Sequence, residues 1–172
     1  MDCYEIGRIT SIGKCAQISK LCESVASEAY RKLGSKEIMQ TWLDDNASEE
    51  VWQGRIEDGA SAVYCASFEN EMVGMVWAAA LRGIHNTDGY IGGLYVSAPG
   101  QGIASALLDH AELRLAAWGC RSILAEVAES SPAIRLLSNR QYDVLGHHQG
   151  RHFKDASWAE MRRLLVQPTE PT

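Results

Sequence analysis

The chain has 172 residues, room for one domain with a sizeable core but not comfortably for two. With 16 Lys and Arg against 22 Asp and Glu the net charge is -6, which argues against a nucleic-acid partner and suits an amine or cationic ligand, unless it only maintains solubility. Five cysteines, at 3, 15, 22, 65 and 120, are odd in number and hold no C-x-x-C pair, so a disulfide framework is not expected and a reducing cytoplasm is; no apolar run has the length of a membrane span or the layout of a signal peptide.

Residues 4–9 alternate as a short strand. Ile18, Leu21, Cys22, Val25, Ala29 and Tyr30 recur at helical spacing, predicting a helix over 16–33 ended by Gly34, and Ile38, Met39 and Trp42 predict another over 36–43. Side chains such as Tyr30, Met39 and Trp42 at this spacing serve a core more often than a ligand. The acidic run Asp44, Asp45, Glu49 and Glu50 reads as a solvated face and the start of a third helix over 49–56 capped by Ser48. Residues 61–67 and 71–81 form a predicted hairpin turning at Glu69-Asn70, in which Gly74 marks a bulge, a close approach or only a weak spot. The polar segment 82–89 offers His85 and Asp88, either as proton carriers or as plain loop residues.

Residues 90–96 read as a strand closed by Ser97, Pro99 and Gly100. Ile103, Leu107, Ala111, Leu115 and Trp118 then mark one face of a long helix, leaving Asp109, Glu112 and Arg114 to water, and Gly119 stops it. Residues 122–127 return to strand, so the unit is a right-handed crossover between parallel neighbours. Gly100-Gln101-Gly102-Ile103-Ala104 falls where strand gives way to helix, a seat for a pyrophosphate, although the glycine pair also suits the turn alone. Ser131 caps a helix over 132–140 with Pro132 in its first turn, and Arg135 faces a phosphate or water. Two further strands, over 142–148 and 156–165, close the chain. Adjacent His147 and His148 point to opposite strand faces, and His152 completes no ligand set, so no metal site is expected. A disordered tail over 167–172 leaves one domain over 1–166, and the C-terminal strands offer an edge for a homodimer.

Leu94-Tyr95-Val96, followed by Gly100-Gln101-Gly102-Ile103-Ala104-Ser105-Ala106-Leu107-Leu108, resembles the acetyl-CoA-binding core of the GNAT superfamily of N-acetyltransferases. Ala125-Glu126-Val127 and Ser131-Pro132-Ala133-Ile134-Arg135-Leu136-Leu137 resemble that family's fifth strand and next helix. The likeness runs over residues 61–165. In two places the chain departs from it. Pro99 stands where the family's Q/R-x-x-G-x-G/A run opens on Gln or Arg, after a loop about two residues shorter by alignment on the helix that follows, and Leu137 stands where a general-acid tyrosine is common.

The resemblance implies an α/β (α+β) fold, a mixed sheet of six to seven strands with helices on both faces. It implies transfer of an acetyl group from acetyl-CoA to the primary amine of a small molecule, by direct attack in a ternary complex, with no part for nucleic acid or membrane. Leu94, Tyr95 and Val96 would hold the pantetheine arm, and Gly100, Gln101, Gly102, Ile103, Ala104 and Ser105, with Ser131 and Arg135, the phosphate end. Gly92 and Gly93 stand where a carboxylate base would be sought, which leaves Glu126, acting through a water, with Tyr95 and Asp88 behind it. The alternatives are an acyl-CoA-binding protein without catalysis, an acetyltransferase for protein N-termini, and a dinucleotide-binding domain whose third glycine is replaced by Ser105.

Overall fold

A computed structural model describes residues 4–81 and 88–165; His85 and the 167–172 tail lie outside them. Among the described residues the order is β1 (Glu5–Ile9), a 3-10 turn (Ile12–Lys14), α1 (Cys15–Ala29), α2 (Lys36–Ala47), α3 (Glu49–Glu57), β2 (Ser61–Phe68), β3 (Glu71–Ala80), β4 (Asp88–Val96), α4 (Ile103–Ala117), β5 (Ser122–Ala128), α5 (Ala133–Asn139), β6 (Asp143–Gln149) and β7 (Ser157–Leu164). The seven strands form one sheet in the order β1-β2-β3-β4-β5-β7-β6. β4 and β5 are parallel, as the crossover requires, and every other pairing is antiparallel. The expected mixed sheet with helices on both faces is what the chain adopts.

Strand alternation sorts the core into two layers. Ala62, Tyr64, Ala66, Val76 and Ala78 face α4, while Val63 and Met75 face α1, α2 and α3. Ser48 accepts from the Val51 amide at the start of α3, and Ser35 from the Ile38 amide at the start of α2. Glu69 and Asn70 both take positive φ, 49° and 67°, which is the two-residue turn that lets β2 and β3 pair tightly. Gly74 is a place of close approach: a Cβ there would come within 2.9 Å of Ile103 Cγ2 and 3.0 Å of Leu107 Cδ1, so α4 settles directly onto β3.

Three expectations need correction. α1 stops at Ala29, four residues short of the predicted end, and Tyr30 leaves helical geometry as the C-cap; its ring packs against Trp42, Phe153 and Trp158. α2 continues to Ala47 and runs straight into the Ser48 cap. Glu112 does not face water. It is 7 % exposed and accepts from Arg140 Nε and Nη2 (3.1 and 2.7 Å), Arg163 Nη1 (2.5 Å) and Tyr142 Oη (3.1 Å). A buried carboxylate is tolerable only with such a set of donors, and its hydrogen bonds with Arg140 foremost hold that guanidinium well above even its usual range.

Candidate active site

The site begins at a fork in the sheet. β4 and β5 pair only from Asp88↔Ser122 to Ile91↔Ala125, although β4 runs on to Val96 and β5 to Ala128. Gly93 is the cause. It lies at φ +66°, and between Met75 and Trp77 the β3–β4 register slips, so that Gly93 and Leu94 together oppose Val76. That is a bulge of the kind a left-handed glycine opens. It bends β4 away from β5 and reverses its alternation: Ile91 belongs to the layer under α4, yet Tyr95 belongs to the opposite layer, and Leu94 and Val96 return to the α4 side. Sequence reasoning saw in Gly92 and Gly93 only a missing carboxylate. The signal was there, since paired glycines in an aromatic-rich strand point to a bulge.

At the far end of the fork, α4 begins on Gly102, which takes φ +79° and offers no side-chain cap; Gly100 is also left-handed, at φ +87°. The first intrahelical bond runs from Ala106 N to Gly102 O (3.1 Å), so the amides of Ile103, Ala104 and Ser105 have no acceptor inside the helix. A left-handed turn feeding a bare helix start is an anion cradle. The residues therefore fit the diphosphate of coenzyme A on their geometry. Ser105 spends its hydroxyl differently, accepting from Arg140 Nη1 (3.1 Å). Ser131 Oγ accepts from the Ala133 amide (3.2 Å), but the N-cap position of α5 falls on Pro132 and not on Ser131 as expected, and Arg135 is exposed on the outside of that helix.

A cleft of about 650 Å³ passes through the fork. Leu94 and Tyr95 line it from β4, Glu126 and Val127 from β5, Ser131 and Leu137 from the α5 side. Gly100 to Ser105 and Arg135 lie outside its lining, so the structure brings Leu94, Tyr95, Glu126 and Ser131 together and leaves the turn and Arg135 apart from them. Asp88 sits at the paired foot of the fork, hydrogen-bonded by Ser122. The opposite wall carries Tyr30, Trp42, Arg55, Trp77, Tyr90 and Trp158. Of these, the sequence singled out only Tyr30 and Trp42 as candidates to touch a ligand.

Charged side chains line the cleft at several points, Arg151 among them. Glu126 Oε1 lies 2.5 Å from His148 Nε2, while His148 Nδ1 lies 3.0 Å from the Gln149 carbonyl. Only the doubly protonated ring satisfies both acceptors. The Gln149 carbonyl foremost, and then Glu126, accordingly lift His148 above its usual value. His152 meets Asp45 at 3.5 Å. Arg55 is pressed between two indoles, its guanidinium carbon 4.4 Å from the Trp52 ring and 4.1 Å from the Trp77 ring; desolvation lowers its pKa from the ordinary arginine value. Burial pushes Tyr90 up to about 12 and Tyr95 well above the usual phenol range, so both stay protonated. Leu137 is buried in the α4-side core and has no proton to give.

This fork and cleft sit between two parallel strands at the centre of the mixed sheet. Residues 22–142 match the model of the acetyltransferase (GNAT) family, and the chain belongs to that family. Among solved structures, the chain is similar to PaiA N-acetyltransferase from Thermoplasma acidophilum in complex with coenzyme A, with a TM-score of 0.81, 16% identity, and 95% and 99% of the two chains covered. It is also similar to an N-acetyltransferase from Staphylococcus aureus Mu50 (TM-score 0.73, 18% identity, 94% and 98% covered). A third is an aminoglycoside 6'-N-acetyltransferase complexed with coenzyme A (TM-score 0.71, 15% identity, 96% and 99% covered). No curated protein sequence matches the chain. The family takes acetyl-CoA as acyl donor, and no described helix is long and apolar enough to cross a membrane.

Proposed function

We propose that the protein is an N-acetyltransferase that moves an acetyl group from acetyl-CoA to the primary amine of a small molecule, by direct attack while both are bound. The observation that carries this reading is the cleft running through the β4–β5 fork, with Leu94 and Tyr95 on one side, Glu126 opposite, and aromatic side chains along its wall. Bound acetyl-CoA supplies an activated acyl carbon. The amides of Ile103 to Ser105 hold its diphosphate, and the unpaired edge of β4 from Gly93 to Val96 offers strand-type hydrogen bonds to its amide-rich arm. An alkyl ammonium titrates near ~10.4 and must lose a proton before attack. Glu126, the carboxylate at the fork, takes that proton through a water. Tyr95 contributes a protonated hydroxyl, and a thiol with pKa about 8.5 leaves without an enzymic acid, consistent with Leu137.

The test is thiol release from acetyl-CoA in the presence of polyamines, aminoglycosides, amino acids and N-terminal peptides. Release with small amines supports the reading. Release with peptides alone would move it to protein N-termini, and tight acetyl-CoA binding with no release would favour a binding protein.

A further inference from the structure

The proposed amine site holds an arginine that no carboxylate among the described residues balances. Arg55 reaches from α3 into the cleft, where Nη1 donates to the Asn46 carbonyl (3.0 Å) near the C-terminus of α2. That is its one hydrogen bond among the described residues, and no carboxylate pairs with it. Among the described residues Nε and Nη2 have no hydrogen-bond partner, yet neither is among the buried unsatisfied polar atoms, so this edge of a cleft-lining guanidinium keeps access to solvent. Two indoles offset part of the cost of withdrawing the cation from water, yet a desolvated guanidinium with most of its N–H donors unused among the described residues remains incomplete. The cleft's carboxylates, Glu126 and Asp45, are held by His148 and His152. The chamber thus has a cationic floor with a planar fork of donors and a carboxylate where the amine reacts.

We infer that the acceptor is zwitterionic, an amine that also bears a carboxylate or phosphate, and that the Nε–Nη2 edge of Arg55 grips that anion. The reading rests on the acetyl-transfer function proposed above, and it fixes the acceptor's second group rather than its reacting one. A paired fork of this kind holds a planar carboxylate through two parallel bonds, and a phosphate in the same way. Calorimetric titration with matched pairs differing by one acid group tests it: lysine against cadaverine, tyrosine against tyramine, phosphoethanolamine against ethanolamine. The acid-bearing member of at least one pair should bind about tenfold more tightly, the first two pairs reporting carboxylate and the third phosphate. Arg55→Gln should bring that pair to within about twofold, and Arg55→Lys should keep part of the difference. Equal or absent binding across all pairs, a preference that survives Arg55→Gln, or loss of acetyl-CoA affinity in Arg55→Gln would overturn the assignment. Preference without thiol release would sink the transfer reading and leave the Arg55 assignment standing.

Discussion

Glu126 and His148 form a couple in which the Gln149 carbonyl and their own contact raise the pKa of the His148 ring. Glu126→Gln should lower kcat/KM for acetyl transfer by about 100-fold, with acetyl-CoA affinity retained in a calorimetric titration; an unaltered rate would remove Glu126 from the mechanism. The pH dependence follows from His148. Its pKa is raised in the folded chain, so the charged ring clasps Glu126 at low pH and the clasp lapses as pH climbs through the raised value. Transfer should therefore gain an ascending limb above about pH 6.5, and His148→Gln should erase it in a pH–rate profile. The same sign governs stability: the clasp contributes fully below the unfolded imidazole value and is lost through the folded one. Arg55, Tyr90 and Trp77 escaped sequence reasoning because they converge from α3, β4 and β3. Nothing local marks Arg55 as anything but a base in the last turn of a helix.

At the level of elements, backbone conformation decides the site. Gly93→Ala would force a Cβ into a left-handed position, at a cost of about 1–2 kcal/mol; we expect a lower urea midpoint together with weaker acetyl-CoA binding, since the bulge is what opens the fork. The reverse experiment exists at the end of α5. Gln141 sits at φ +66° in a paired C-terminal motif, Tyr142 N to Leu137 O (3.1 Å) and Gln141 N to Ser138 O (3.0 Å), where glycine is preferred. Gln141→Gly should raise stability by about 0.5–1 kcal/mol in the same titration. The elements themselves were legible. Period and turn chemistry placed all seven strands, the Ser48 cap and the Glu69-Asn70 turn, because those signals are local. The bulge was legible only in part, because the glycine pair signals tolerance of an unusual φ and not which residue uses it; the burial of Glu112 was not, because its partners arrive from residues 140, 142 and 163.

Across the whole molecule, the sheet is two blocks, β1 to β4 and β5 to β7, joined along four rungs between β4 and β5. α4 packs on β2, β3 and β4, while Arg140 and Arg163 tie it through Glu112 to the second block. The aromatic group of Tyr30, Trp42, Phe153 and Trp158 does the same on the other face. The blocks are thus clamped above and below while the seam between them stays open at one end. Peptide groups along that open seam have hydration for company. In deuterium oxide the amides of β4 beyond Ile91 that point into the seam should take up isotope faster than those of β3 beside them, and occupancy by acetyl-CoA should slow that uptake as if an eighth ribbon had been laid between the blocks.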